Sequence, residues 1–92
     1  IVSVRAPADF AQRHLRKCTV ALRFEDFAAG LTFQDEFVFE NGEGNAEFEY
    51  DYVDADRMRY EYQVDWMFEN GLIKNTPWTA SSTTDLTLRA PA

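Results

Sequence analysis

Residues 31–69 alternate between apolar and polar side chains, and aromatic rings occupy most of the apolar positions. Successive side chains on a β-strand point to opposite faces of its sheet, so a period of two indicates strands with one buried face. Antiparallel sheets commonly keep their other face in water. The pattern therefore predicts an all-β, antiparallel fold with a core of rings and aliphatic groups: Leu31, Phe33, Phe37, Phe39, Ala46, Phe48, Tyr50, Tyr52, Met58, Tyr60, Tyr62, Val64, Trp66 and Phe68.

Turn-forming residues divide the chain into six or seven predicted strands. Proline, glycine, asparagine and aspartate interrupt the alternation between them. We expect residues 72–77 to form a loop and residues 8–14 to form either a helical turn or a loop that carries Phe10 inward. We also expect Tyr50 to face Tyr60 across a hairpin. The predicted strands cover residues 1–5, 15–24, 31–40, 46–53, 57–69 and 78–88.

This number of strands in 92 residues is typical of a single β-sandwich. The chain begins with Ile1 rather than methionine, and strand pattern runs close to both ends. We therefore interpret residues 1–92 as one module of a larger multidomain chain, with extracellular or cell-envelope localisation favoured. Neighbouring domains or another protein are the expected partners, and membrane insertion is not expected.

Charge is distributed unevenly along the chain. Residues 1–23 hold five Lys/Arg against one Asp, or +4, whereas residues 24–92 hold four against 15 acidic residues, or −11. The net charge of −7 argues against nucleic-acid binding, which requires a basic surface. A polarised charge distribution favours ordered contacts with neighbours, so Arg13, Arg16 and Lys17 form a candidate basic contact patch.

No residue pattern predicts catalysis or a cofactor. His14 and Cys18 are the single histidine and the single cysteine, which excludes an internal disulfide and a multi-histidine metal site. Cys18 has the spacing of Val20, Leu22 and Phe24 and is expected to be buried. Asp35 lies among the aromatic positions, where it would be either a functional acid or a residue that a β-bulge releases to water. We expect a protein that is not an enzyme.

Residues 58–84 resemble part of a fibronectin type III-like or related immunoglobulin-like module. The resemblance lies in Tyr60-Glu61-Tyr62-Gln63-Val64, then Asn70-Gly71, then Pro77-Trp78-Thr79 with a Ser/Thr run. It implies an immunoglobulin-like β-sandwich that serves as a spacer or protein-contact unit.

Two ligand hypotheses accompany this interpretation. Asp51, Asp54 and Asp56 are weak candidates for calcium binding, because calcium prefers several hard oxygen ligands from loops. Trp78 follows a loop and is the ring most expected to be exposed, with Tyr60 as a second possible contact. The tail is similar to that of a starch-binding module, so a carbohydrate-binding module accessory to a glycan-active enzyme is the alternative function.

Overall fold

The computed structural model describes residues 1–52 and 58–89, and these residues form two β-sheets without a helix. Sequence alternation had predicted the all-β class, which is confirmed. The eight strands are β1 (Val2–Arg5), β2 (Leu15–Asp26), β3 (Leu31–Phe39), β4 (Asn45–Phe48), β5 (Tyr60–Phe68), β6 (Ile73–Asn75), β7 (Thr79–Ser81) and β8 (Asp85–Thr87).

The larger sheet has five strands and the smaller has three. In the larger sheet the order is β3-β2-β5-β6, and β7 also pairs with β5. In the smaller sheet the order is β4-β1-β8, and β1 and β8 run parallel, with Ser3 opposite Asp85. The prediction of a wholly antiparallel fold is therefore wrong for one pair of strands, although all other pairs are antiparallel.

Both sheets contribute to one hydrophobic core, as a β-sandwich requires. The larger sheet contributes Trp66 and the inner face of β2, and the smaller sheet contributes Val4 and Phe48. The core members are Val2, Val4, Ala6, Phe10, Leu15, Cys18, Val20, Leu22, Phe24, Phe39, Phe48, Tyr60, Val64, Trp66, Leu86 and Leu88. The expected burial of Cys18, Val20, Leu22 and Phe24 is confirmed, since all four are fully buried.

The predicted hairpin between the fourth and fifth strands is wrong. β4 pairs with β1, so Tyr50 does not face Tyr60 through strand pairing. Their ring centroids are nevertheless 6.3 Å apart, because the Tyr50 ring packs in the core region beside β5. The two rings therefore approach each other in the core without the predicted hairpin between their strands.

A β-bulge at Arg16 interrupts the pairing of β2 with β5. Leu15 is opposite Phe68 and Lys17 is opposite Met67, which leaves Arg16 as an extra residue. A bulge lets one strand hold two residues where its partner holds one. Leu15 and Cys18 are three positions apart in the sequence, and both are buried because of this bulge.

Three further expectations are corrected by the structure. Residues 73–75 form β6 rather than loop, and the predicted last strand is divided into β7 and β8. Asp35 is exposed, but the β2–β3 register continues past it without a bulge, so it reaches water on the edge strand β3 instead. Its carboxylate accepts a hydrogen bond from the Glu36 amide at 2.8 Å.

Residues 8–14 combine both alternatives considered for them. The Arg13 amide donates to the Asp9 carbonyl at 3.0 Å, as in a single helical turn. Phe10 is carried into the core, with 5% of its surface exposed.

Candidate interaction surfaces

The first candidate surface lies at the end of the two-sheet structure where β2 begins and β5 stops. A hollow of about 540 Å³ opens there, lined by Gln12, Arg13, His14, Phe68, Glu69, Asn70, Leu72 and Lys74. We call this the end hollow. The Glu69 amide donates to the His14 carbonyl at 2.8 Å, which ties residues 8–14 to the end of β5.

Cationic and apolar groups both line the end hollow. The Lys74 ammonium lies 5.8 Å from the centre of the half-buried Phe68 ring, and Leu72 is 51% exposed. The Arg13 guanidinium donates to Asp9 at 2.8 Å, which lowers the pKa of that carboxyl. The hollow therefore offers an apolar floor with a mixed but cation-bearing rim.

The candidate basic patch is divided between two hollows. Arg13 lines the end hollow, whereas Arg16 and Lys17 line a separate hollow of about 640 Å³ with Glu40 and Met67. The β-bulge explains part of this arrangement, because the inserted Arg16 is exposed on the same side of β2 as Lys17.

The second candidate surface lies at the opposite end of β2, in the turn that leads to β3. Phe27 is 84% exposed there, more than any other large hydrophobic residue that the structure describes. The turn is well formed: the Ala29 amide donates to the Asp26 carboxylate at 3.2 Å, and the Gly30 amide donates to the Phe27 carbonyl at 3.3 Å. Gly30 has a φ of 69°, which favours glycine. We call residues 27–29 the Phe27 tip.

Acidic side chains predominate among the exposed charged groups in the segments at the Phe27 end of β2. Tyr50 stacks on Phe24 with ring centroids 4.4 Å apart, which brings the segment after β4 to this end. The exposed carboxylates in these segments are Glu25, Glu49 and Asp51, whereas the cations are Arg59 and Arg23, of which Arg23 is paired with Glu61. The surroundings of the two ends of β2 therefore differ in charge.

The third candidate surface surrounds Trp78 on the outer face of the larger sheet. The Arg23 guanidinium lies 4.0 Å from the centre of the Trp78 ring, and its Nε donates to Glu61 at 3.2 Å. Trp78 is half-buried as a result, so one of its faces is already covered by a cation.

Tyr60 does not belong to any contact surface, which corrects its assignment as a possible glycan contact. It is 1% exposed, and its hydroxyl donates to the Thr83 carbonyl at 2.8 Å. Burial also raises its pKa. A ring enclosed by the core cannot stack on a sugar.

The acidic candidates for calcium binding are only partly described. Asp51 is exposed, whereas Asp54 and Asp56 lie outside the described residues. Within residues 1–52 and 58–89 no cluster of His, Cys, Asp or Glu has the geometry of a metal site. Calcium binding stays a prediction.

Cys18 is a potential nucleophile that lies in the core. It is fully buried, and burial raises the pKa of its thiol from 9.0 to about 11. A thiol is reactive as the thiolate, so this environment makes Cys18 inert at neutral pH.

Comparison of the chain with protein-family models, with curated proteins and with solved structures gave no match. In the part of the chain that the structure describes, no helix has the length and apolar character needed to cross a membrane. Two sheets of five and three strands define the class as an all-β protein compatible with a β-sandwich.

Sequence reasoning missed the Phe27 tip and the end hollow. Phe27 has no special spacing, because it falls in a turn where alternation carries no information. The sequence did contain one indication of the Phe27 tip. Phe27 is a large aromatic residue inside a turn segment, between Glu25-Asp26 and Ala28-Ala29-Gly30, where no strand alternation would direct its ring into the core.

Proposed function

We propose that the chain is a non-enzymatic structural module, of the immunoglobulin-like or fibronectin type III-like kind, that spaces and contacts neighbouring domains of a larger secreted or cell-envelope protein. The observation that supports this most strongly is the parallel pairing of β1 with β8.

Parallel pairing means that the chain enters and leaves the sandwich in the same direction. β3 ends beside the start of β2, where Phe39 is opposite Cys18, and β4 then runs away from that end. Because β1 is antiparallel to β4 and parallel to β8, both β1 and β8 run toward the end hollow. A following domain would lie beyond the end hollow, and a preceding domain beyond the Phe27 tip.

The dimensions of the molecule suit a spacer. Its principal extents are 44 × 21 × 18 Å. The twelve residues of β2 span roughly 40 Å at about 3.3 Å per residue, so the long axis follows this strand. Domains joined in the direction of β1 and β8 would extend along this axis rather than lie side by side.

Small-angle X-ray scattering of a chain containing two joined copies tests this function. We expect a maximum dimension that approaches twice the 44 Å axis of one copy. A matched chain with a long Gly/Ser linker serves as the control, because a flexible linker lets the two copies orient independently. A compact, side-by-side arrangement in the directly joined chain would refute the spacer function.

Carbohydrate binding is the weaker candidate function. Trp78 is still available as a contact for a sugar, because its half-buried ring lies on a sheet face with Arg23 and Glu61. Tyr60 is not available, because it is buried in the core. Acrylamide quenching distinguishes the alternatives, since Trp66 is 2% exposed and Trp78 supplies the accessible signal. Protection of Trp78 by soluble glucan would support a glycan platform.

A further inference from the structure

The Phe27 tip presents an apolar group in a fixed position. The turn that carries it is held by two hydrogen bonds and by the left-handed conformation of Gly30. Ala28 and Ala29 beside it are exposed as well, which makes the whole tip apolar. Phe27, Ala28 and Ala29 thus form one contiguous apolar patch, and exposed apolar patches are the kind of surface that marks interaction sites.

The end hollow has the chemistry that would accept such a tip. Phe68 and Leu72 supply apolar contacts, and aromatic rings attract one another when tilted or offset. The volume of about 540 Å³ leaves room for one ring with its neighbouring alanines. The hollow is open to solvent at the end of the sandwich, where a protruding turn can reach it.

The charges around the two features are complementary. In the segments near the Phe27 tip, the three exposed carboxylates of Glu25, Glu49 and Asp51 stand against the exposed Arg59, while Arg23 is paired with Glu61. Around the end hollow and the adjoining hollow, cations slightly outnumber acids: Arg13, Arg16, Lys17 and Lys74 stand against Asp9, Glu40 and Glu69. Such complementarity steers association and fixes orientation.

We propose that the partner of this module is a second copy of the same chain, bound head to tail, with the Phe27 tip of one copy in the end hollow of the next. This assignment deepens the proposed contact function and rests on it. The two features lie at opposite ends of β2, roughly 40 Å apart, so one copy cannot satisfy both within itself.

The direction of the chain agrees with this contact. β1 and β8 run toward the end hollow, so a copy that follows in the same polypeptide would present its Phe27 tip to the hollow of the copy before it. A head-to-tail contact of this kind is heterologous, and because its two features lie at opposite ends of the long axis, we expect open-ended assemblies rather than closed rings. The contact area is small, and we expect the association of separate copies to be weak and transient.

Sedimentation velocity of two variants and their mixture tests the proposal. Phe27→Ser removes the tip and Leu72→Glu blocks the hollow; both side chains are more than half exposed, and near-UV circular dichroism verifies that each variant is folded. We expect the unmodified chain to sediment faster with rising concentration and without a limit at the dimer. Each variant alone should associate at least about tenfold more weakly.

The equimolar mixture of the two variants gives the decisive result. Each variant retains the feature that the other has lost, so together they should form 1:1 pairs that grow no further. Val38→Ser is the matched control, because Val38 is 53% exposed on β3, and this variant should behave as the unmodified chain does.

Three outcomes would each overturn the proposal: an unmodified chain that stays monomeric at every concentration, a Phe27→Ser variant that associates normally, or a mixture that forms no pairs. The scattering experiment on two joined copies separates this result from the proposed function. If joined copies carrying Phe27→Ser remain extended, the spacer function stands even where the second-copy contact has failed.

Discussion

Deletion of Arg16 is the perturbation that most directly tests the architecture of the larger sheet. Arg16 is the extra residue of the bulge, so its removal leaves Leu15 and Cys18 pointing inward and Lys17 pointing outward. The pairing of β2 with β5 would simply become regular. We expect a change in the free energy of unfolding of no more than about 1 kcal/mol, as for substitutions away from the core.

Deletion of Thr19 is the matched control, because it also removes one residue from β2. It would bring Lys17 to the inward position that Cys18 now occupies and turn Cys18 outward, since alternation leaves no other arrangement for a regular strand. Burial of an unpaired ammonium costs several kcal/mol. That cost is a large part of the roughly 5–15 kcal/mol that stabilises a typical domain.

Urea unfolding followed by tryptophan fluorescence measures the difference, in a Trp78→Phe background where Trp66 supplies the signal. Trp66 is opposite Cys18 in the β2–β5 pairing, so it reports on the affected site. In thermal unfolding, about 1 kcal/mol corresponds to roughly 4–8 °C in a domain of this size. The variant without Arg16 should therefore still unfold cooperatively, with a melting temperature that falls by no more than this amount. The variant without Thr19 should show no cooperative unfolding transition at room temperature. Equal destabilisation by the two deletions would refute the interpretation of Arg16 as an inserted residue.

Three further predictions concern buried and half-buried side chains. Burial raises the pKa of the Cys18 thiol from 9.0 to about 11, so the thiol loses its proton at lower pH in the unfolded chain than in the folded one. The free energy of unfolding should therefore fall by roughly 2–3 kcal/mol as the pH rises from 9 to 11. Urea titrations at several pH values should show a smaller decrease for Cys18→Ala. Tyr60→Phe loses one hydrogen bond to the segment before β8 and should destabilise the fold by about 0.5–1.5 kcal/mol, whereas Tyr52→Phe, at a ring that is 48% exposed, should have little effect on the urea midpoint. Arg23→Ala uncovers one face of Trp78, so acrylamide quenching should increase; an unchanged quenching constant would contradict the cation–ring contact.

Period-two alternation predicted the fold class and most of the core correctly, but it was wrong for Tyr52, whose ring is 48% exposed. It succeeded for β2 and β5, because these long central strands have one face against the core, and their apolar side chains recur at every second position. The burial of Cys18 and Trp66 followed from that spacing alone.

Strand pairing could not be predicted in the same way. The assignment of β4 to β5 used proximity in the sequence, whereas the structure pairs β4 with β1 across a much longer separation. Local pattern contains no information about which distant strand supplies the hydrogen bonds. Division of the last predicted strand into β7 and β8 was missed for a similar reason, since each joins a different sheet.

The candidate surfaces were predictable only in part. Charge counts indicated a basic segment near Arg13, but they could not reveal that Arg13 lines a hollow completed by Phe68 and Lys74 from β5 and β6. Tyr60 illustrates the opposite error, because an aromatic residue in a strand has the same spacing whether its ring meets solvent or the other sheet.

The parallel pairing of β1 with β8 also constrains the order of folding. Ser3 and Asp85 are near opposite ends of the described chain, so closing this ladder requires a very long loop, while β2 and β3 meet through a short turn. Contacts of such high sequence separation slow folding. We expect the smaller sheet to close last, with φ-values near zero at Val4 and Leu86 and higher values at Leu22. During ribosomal synthesis the inner face of the five-stranded sheet would then stay partly exposed until β8 emerges from the ribosome and completes the smaller sheet that covers it.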